Sequence, residues 1–318
     1  MSDFDFYDEK MIPEGFGLHN MGATCYFNAV IQSLISCSAF NKNVQKINKT
    51  SHDNNVLKYY GDMITLSTKN PKDSRLSHFS PLIWKEIFKY VQTRSDITRF
   101  STGQQDAGEG LHMFMQAIEK FHDLQDLFKH RYESTIYCQD CKKNVSVKNC
   151  EYILFDVPPA LEIKQLEKFK SLDKTYGKKR TLQEFLLNQN TFVDKDYKCP
   201  KCGVKSEKFM KINLKMLPEI IVVMAKKYEH DGRTSRKINS MTDFPSTLTF
   251  NGYSEKGSFP MKYEAVAQIE HSGSLSSGHY WAVCKRKGKW QTLNDSTVRE
   301  GKFQPTKNTY IVFYHIKK

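Results

Sequence analysis

Gly17-Leu-His-Asn-Met-Gly-Ala-Thr-Cys-Tyr-Phe-Asn28 reads as a loop that turns into a helix, and the helix opens on a cysteine. Glycines at 15, 17 and 22 suit a tight loop. After it, Tyr26, Phe27, Val30, Ile31, Leu34 and Ile35 recur at helical spacing. Cys25 therefore falls at a helix N-terminus, where orphan N–H groups and the helix dipole favour a thiolate over a thiol. A lowered thiol pKa makes a cysteine nucleophilic at neutral pH. Asn20, five residues earlier, is placed to aim an amide N–H at an oxyanion. From position alone, a small buried cysteine opening a helix is the commoner case, so the stretch needs a partner.

The partner lies far along the chain. His271-Ser-Gly-Ser-Leu-Ser-Ser-Gly-His279-Tyr-Trp-Ala-Val283 is a polar, glycine-rich loop running into a strand pattern. His279 sits where loop meets strand, a place that can hold an imidazole rigidly. Fifteen residues on, Asn294-Asp295 closes the next strand pattern, so a hairpin brings an amide or a carboxylate to the imidazole. That is the nucleophile, base and orienter arrangement, of which Cys-His-Asn versions exist.

Between these ends the chain falls into three zones with no Pro/Gly-rich linker and no internal repeat. Thr24 to about Leu127 is helical in pattern, with Ser80-Pro81 expected to cap and start the segment 82–91 and a third helix expected from about Gln104 to Phe121. The middle zone carries strand-like runs such as 152–157. The last zone reads as strands over 220–224, 263–269, 279–285, 290–293 and 310–314. Helices first and an antiparallel sheet later predict an α+β fold.

The middle zone also holds Cys138-x-x-Cys141 and Cys199-Pro-Lys-Cys202. Two such knuckles supply four thiolates, which suits tetrahedral structural Zn2+ with no open position for catalysis. The 57 residues between them exceed the gap of a compact zinc ribbon, and CxxC also serves as a redox pair. Cys37, Cys150 and Cys284 have no evident partner in the sequence.

Composition bounds the rest. With 39% hydrophobic and 13% aromatic residues in 318, a wholly disordered chain is excluded. The longest apolar run, 220–225, is far short of the roughly 20 residues that span a bilayer. The start, MSDFDFYDEK, lacks the basic-then-apolar order of a signal peptide, so an intracellular protein, cytoplasmic or nuclear, is expected. The net charge of +13 admits an acidic partner or an anionic surface. Its densest stretch, Lys164 to Arg180, reads as a solvated loop.

At this point the sequence resembles the ubiquitin-specific protease family of papain-like cysteine proteases. The stretch 17–34 is similar to the family's cysteine box and 271–298 to its histidine box. Gly103-Gln-Gln-Asp-Ala-Gly-Glu109, Lys226-Lys-Tyr228, Arg236-Lys-Ile238 and Phe244-Pro245 follow its order. The resemblance implies a right-hand architecture with a helical thumb, an antiparallel β palm and zinc-binding β fingers around 128–157 and 192–222. It makes 15–318 one catalytic domain behind a short acidic extension, residues 1–14, in a monomer.

The implied activity is thiol-dependent hydrolysis after the C-terminal glycine of ubiquitin in ubiquitinated proteins. Cys25 is the implied nucleophile and His279 its base, with Asn294 and Asp295 orienting His279 and Asn20 lining the oxyanion hole. Asp106 and Glu109, three apart and expected to share one helix face, are implied to grip the arginines of ubiquitin's tail. Gln104, Tyr280 and His271 join them as substrate contacts, and the loop 272–277 borders a narrow channel for Gly-Gly.

Gly110 for the usual phenylalanine, Leu293 for an aromatic, Ala225, Tyr228 and a lysine-rich insertion over 161–180 depart from the family pattern. Three alternatives stay open on sequence: a protease for a ubiquitin-like modifier or a polyprotein, a non-catalytic ubiquitin-binding module, and a zinc-dependent nucleic-acid binder.

Overall fold

The computed structural model describes residues 4–50, 53–94, 106–158, 180–189, 191–193, 195–230, 235–238, 240–254, 257–274 and 278–318. Gln104, residues 275–277 of the glycine-rich loop and all of the basic stretch except Arg180 lie outside them.

Seven helices are described: α1 (Cys25–Ile35), α2 (Ser38–Thr50), α3 (Asn55–Lys69), α4 (Phe79–Gln92), α5 (Ala107–Ala117), α6 (His122–Asp126) and α7 (Leu182–Leu187). Every residue of α1 is buried, the mark of a helix enclosed on all sides. Its neighbours are α5 and α4 on one side and a large sheet on the other. The apolar periodicity predicted α1 well. The third expected helix is shorter than predicted because Asp106 caps it and it ends at Ala117.

Helix α4 corrects the expected cap. A 3-10 turn over Ser74–His78 runs straight into it, so the helix opens at Phe79 with no side-chain cap. Ser80 is thereby released, and its hydroxyl donates to Asn28 Oδ1 at 2.6 Å.

The strands are β1 (His130–Cys138), β2 (Lys143–Tyr152), β3 (Phe155–Val157), β4 (Thr191–Val193), β5 (Lys208–Met216), β6 (Ile220–Ala225), β7 (Tyr228–His230), β8 (Ser235–Lys237), β9 (Thr247–Ser254), β10 (Gly257–Gly273), β11 (Gly278–Arg286), β12 (Lys289–Asn294), β13 (Thr297–Glu300) and β14 (Thr309–Lys317). One sheet has the order β2-β1-β5-β4, and a second runs β13-β12-β11-β10-β14-β6-β3 with β9 on β10. The first corresponds to the expected fingers and the second to the palm; β7 and β8 form a small hairpin.

The expected finger boundaries overreach at their ends. Phe155–Val157 and Ile220–Ala225 pair with each other in parallel inside the palm, the one parallel ladder among the described strands. The physical reason is burial: five of the six side chains of the apolar run 220–225 are buried, which needs a central strand covered on both faces.

The palm separates two apolar clusters. One joins α1 to α5 with the sheet face carrying Ile269, Ala282 and Phe313. The other gathers α7, Phe244, Phe250 and Tyr263 behind the opposite face. The acidic N-terminal segment packs on this body. Tyr7 N donates to Ile316 O at 3.0 Å, Asp8 N to Ser38 Oγ at 2.9 Å, and Lys42 pairs with Asp5 at 2.5 Å. Within the described residues, no helix is long and apolar enough to cross a membrane.

Candidate active site and metal centre

The two boxes meet where the start of α1 faces the β11–β12–β13 edge of the palm. Gly17 explains part of the fit: a Cβ there would lie 2.4 Å from Ser296 O, so only glycine lets the loop touch the β12–β13 turn. Leu18 N donates to Asp295 O at 2.8 Å across that contact. Asp295 itself adopts φ +47°, the left-handed conformation that Asp tolerates in a two-residue turn between paired Asn294 and Thr297.

Cys25 is the first residue of α1 and is buried, 4% exposed. Burial pushes its thiol up; the Tyr280 main-chain N–H pulls it back, and the Asp295 carboxylate pushes it up again. The resting thiol thus lies above its ordinary value, where position at a helix start had predicted a lowered one. The cause is that a single turn's dipole competes here with desolvation and a nearby anion.

Tyr280, which reaches Cys25, is the neighbour of His279 in β11. His279 Nε2 lies 2.6 Å from Asn294 Oδ1. An amide oxygen only accepts, so Nε2 carries a proton, and in the neutral imidazole the free lone pair is the one on Nδ1. Asp295 Oδ2 stands 4.0 Å from the same Nε2. That carboxylate is engaged elsewhere: it accepts from Asn20 Nδ2 at 2.9 Å and from Asn28 Nδ2 at 2.7 Å.

Asn20 is correspondingly pinned. Its Oδ1 accepts from Gly22 N and Thr24 N at 3.0 and 3.1 Å, which shapes the loop, while one Nδ2 hydrogen serves Asp295. Asn28 and Ser80 are the members of this network that the sequence reading missed. The available signal was Asn28 itself, a polar side chain set with Gln32 and Ser33 among the apolar residues of α1.

A second group lines the approach. Asp106 is the N-cap of α5, accepting from Gly108 N at 2.7 Å and Glu109 N at 3.2 Å, and from Tyr310 Oη at 2.5 Å. It does not share an open helix face with Glu109, as expected from spacing: the cap and the tyrosine engage it, and Glu109 is the exposed one of the two. Burial pushes the Asp106 carboxyl up despite those donors. Asp106→Ala should lower the unfolding free energy by about 2–4 kcal/mol, a lost cap plus a stranded tyrosine hydroxyl, read by urea denaturation.

His271 stacks on Tyr280 with centroids 4.3 Å apart, and its Nδ1 lies 2.8 Å from Tyr228 Oη and 3.2 Å from Lys237 Nζ. Lys237 only donates, so Nδ1 is an acceptor. Burial first, then Lys237, lowers the imidazole to about 4, which keeps it neutral. Tyr228, Tyr310 and Lys237 complete this wall and were not among the expected site residues.

At the far end of the fingers sheet, Cys138, Cys141, Cys199 and Cys202 bring their sulfurs within 4.8 Å of one another, a group that could hold a metal ion. Sγ–Sγ separations of 3.8 Å (138 to 202) and 3.9 Å (141 to 199) match the edge of about 3.8 Å implied by a tetrahedron with bonds of about 2.3 Å. Lys201 N donates to Cys199 Sγ at 3.4 Å, and Gly203, at φ +73°, turns the knuckle. The buried Lys208 ammonium lies 3.1 Å from Asp140 and beside Ser206. It places a positive charge next to a cluster whose metal-bound form is anionic.

Comparison with known proteins shows the family. The pattern of the ubiquitin carboxyl-terminal hydrolase family matches residues 16–314. The chain belongs to that family. Among curated hydrolases of this name, number 8 of Saccharomyces cerevisiae is 25% identical over 95% of this chain and 70% of its own length. Number 42 of Homo sapiens is 24% identical over 94% of this chain, which spans only 23% of that protein.

Among solved structures, the fold matches a chain of the SAGA DUB module Ubp8/Sgf11/Sus1/Sgf73 bound to monoubiquitin. The TM-score is 0.73 at 20% identity, over 99% of this chain and 72% of that one. The same module bound to ubiquitin aldehyde also gives 0.73, over 100% and 72%. The α+β right-hand fold expected from the sequence is therefore the hydrolase family's own.

Proposed function

We propose that this hydrolase cleaves the bond after the C-terminal glycine of ubiquitin in ubiquitin conjugates, using Cys25 and His279. The observation that carries the reading is the 2.6 Å contact of His279 Nε2 with Asn294 Oδ1, on strands that pack against α1, the helix opened by buried Cys25. With Nε2–H engaged, Nδ1 is the atom that takes the Cys25 proton. The thiolate attacks the glycine carbonyl, and the proton then passes to the leaving amine. Water, deprotonated by Nδ1, hydrolyses the thioester and returns the thiol. The second Nδ2 hydrogen of Asn20 and main-chain N–H groups at the start of α1 are the donors for the oxyanion.

Asn294 is the orienter in this scheme, and Asp295 a clamp joining the loop, α1 and the β12–β13 turn. Asn294→Ala should cut kcat by about 10²–10⁴-fold, since an imidazole in the wrong tautomer cannot accept the thiol proton. Asp295→Asn should move Cys25 alkylation to lower pH, because removing the anion lowers the thiol pKa. An unchanged alkylation profile would remove Asp295 from the site's electrostatics.

Glu109, Asp106, Tyr280 and His271 line the proposed path of the substrate tail, and Gln104 joins them by resemblance alone. Residues 15–318 serve as one catalytic unit, with the packed segment before them as a strap. The four cysteines hold structural Zn2+, which ties the finger tips together and offers no reacting position. Ubiquitin is the proposed partner, on the family match and on the ubiquitin named in the two matched structures. An intracellular site of action, cytoplasmic or nuclear, follows from that substrate.

The test is ubiquitin bearing a C-terminal electrophile. A one-to-one covalent adduct is expected; an adduct formed only with another ubiquitin-like modifier would replace ubiquitin as substrate.

A further inference from the structure

Arg286 is a cation in the core with no carboxylate partner among the described residues. It is 1% exposed and ends β11, the strand that carries His279 near its start. Its guanidinium donates to Gln32 O at 2.6 Å, to Gln32 Oε1 at 3.0 Å and to Ser36 Oγ. Gln32 O is a last-turn carbonyl of α1, the helix that opens on Cys25. The Ser36 N–H turns back to Leu34 O and Ser33 O, so Gln32 O lacks its usual helical donor, and Arg286 supplies one. A cation at a helix C-terminus is also favoured by the helix dipole.

The contacts between α1 and β11 fall in register along both elements. The Tyr280 main-chain N–H lowers the Cys25 thiol at one end, Cys284 Sγ meets Gln32 O at 3.5 Å, and Arg286 meets Gln32 and Ser36 at the other. From Cys25 to Ser36 a helix rises about 16 Å, and from Tyr280 to Arg286 a strand advances about 20 Å. Helix and strand thus run side by side from the site to the clamp. Apolar side chains pack in many registers, whereas a guanidinium fork bonded to one carbonyl, one amide and one hydroxyl admits a single one. Gln32 extends the lock, donating Nε2 to Phe16 O at 2.7 Å, just before the 17–24 loop that leads into Cys25.

We infer that Arg286 is a positioning residue, fixing how far α1 slides along β11 and so the approach of the Cys25 sulfur to His279. The inference rests on Cys25 and His279 being the reacting pair. Buried ion pairs are replaceable by apolar residues without loss of stability in other folds, so the presence of a buried arginine without a carboxylate points to geometry.

Arg286→Met, Arg286→Lys and Ser36→Ala are to be compared with the wild-type chain in three measurements. These are hydrolysis of ubiquitin carrying a C-terminal fluorogenic amide, the pH profile of Cys25 alkylation by iodoacetamide mapped by mass spectrometry, and thermal unfolding. A sulfur displaced by about 1 Å loses about 10² in rate, so Arg286→Met should lose kcat on that order with KM within about twofold. Its alkylation profile should shift, and Arg286→Lys should fall between. A folded Arg286→Met with wild-type kcat and profile overturns the inference. So does a loss of kcat that only tracks the unfolded fraction. If the methionine variant does not fold, Arg286→Lys and Ser36→Ala decide, and wild-type behaviour in both overturns it. Wild-type protein that ignores ubiquitin would sink the proposed substrate instead, and the alkylation profiles would still test the clamp.

Discussion

Cys25→Ala is expected to abolish turnover of ubiquitin conjugates, by on the order of 10⁴–10⁶-fold, while leaving ubiquitin binding intact. The size follows from the reaction's dependence on one nucleophile: in a nucleophile–base pair, removing either member costs nearly as much as removing both. Binding should survive because the proposed tail path is built from other elements, Asp106 capping α5, Glu109 on α5, His271 on β10 and Tyr280 on β11. Alanine also fits, since Cys25 is small, buried and opens a helix whose remaining residues are all buried.

The measurement pairs steady-state hydrolysis with titration of free ubiquitin into the inactive variant. His279→Ala should be less complete in one respect, since a strong C-terminal electrophile still traps a fraction of the thiol slowly. Residual turnover by Cys25→Ala beyond about a thousandth of wild type would move the nucleophile elsewhere. Cys150 is then the residue to test, because Cys37 and Cys284 are wholly buried.

The second large effect is expected at the knuckles. Cys199→Ser should reduce bound zinc from one per chain to none and unfasten the far end of the fingers. Cys138 ends β1, and the Cys199–Cys202 knuckle lies shortly before β5, so the cluster ties together the two central strands of a four-stranded sheet. That sheet has few other means of closure: β2, on its edge, is mostly exposed, and β4 is three residues long. Structural zinc contributes an apparent 10–16 kcal/mol, roughly, in isolated finger peptides. A larger domain keeps its palm folded without it, so unfolding should become two transitions.

Metal content, calorimetry and the KM for ubiquitin read this together, with KM rising far more than kcat falls. Cys199→Ser with undiminished zinc and a single unshifted transition would end the zinc assignment. Lys208 sharpens the expectation: without the metal, its buried ammonium keeps Asp140 as its one anionic partner among the described residues, beside Ser206 and the Val204 carbonyl, which favours loosening of this end.

What could be read from the chain differed by element for identifiable reasons. The helix after Cys25 was legible because its apolar residues repeat at the helical period and glycines mark its approach. Strands β10, β11, β12 and β14 were legible from apolar runs bounded by polar turns. The limits of the fingers were not, since 155–157 and 220–225 look locally like any other apolar strands, and only pairing across the fold assigns them to the palm. The start of α4 was misread because Ser-Pro is a good local cap, whereas a preceding 3-10 turn made that cap unnecessary.

For the site, the sequence by itself determined the residue types proposed to react, their order and the four clustered cysteines. Those depend on local chemistry and on spacing within short stretches. Asn294 is proposed over Asp295 as orienter on tertiary structure alone, because that choice turns on one distance, 2.6 against 4.0 Å, set by strand register and a left-handed turn. Tertiary structure also decided that Asp106 is a half-buried cap and does not share an open face with Glu109, and that Arg286 closes the far end of α1. Such assignments arise where residues far apart in sequence compete for the same hydrogen-bond partners, a competition that no local pattern records.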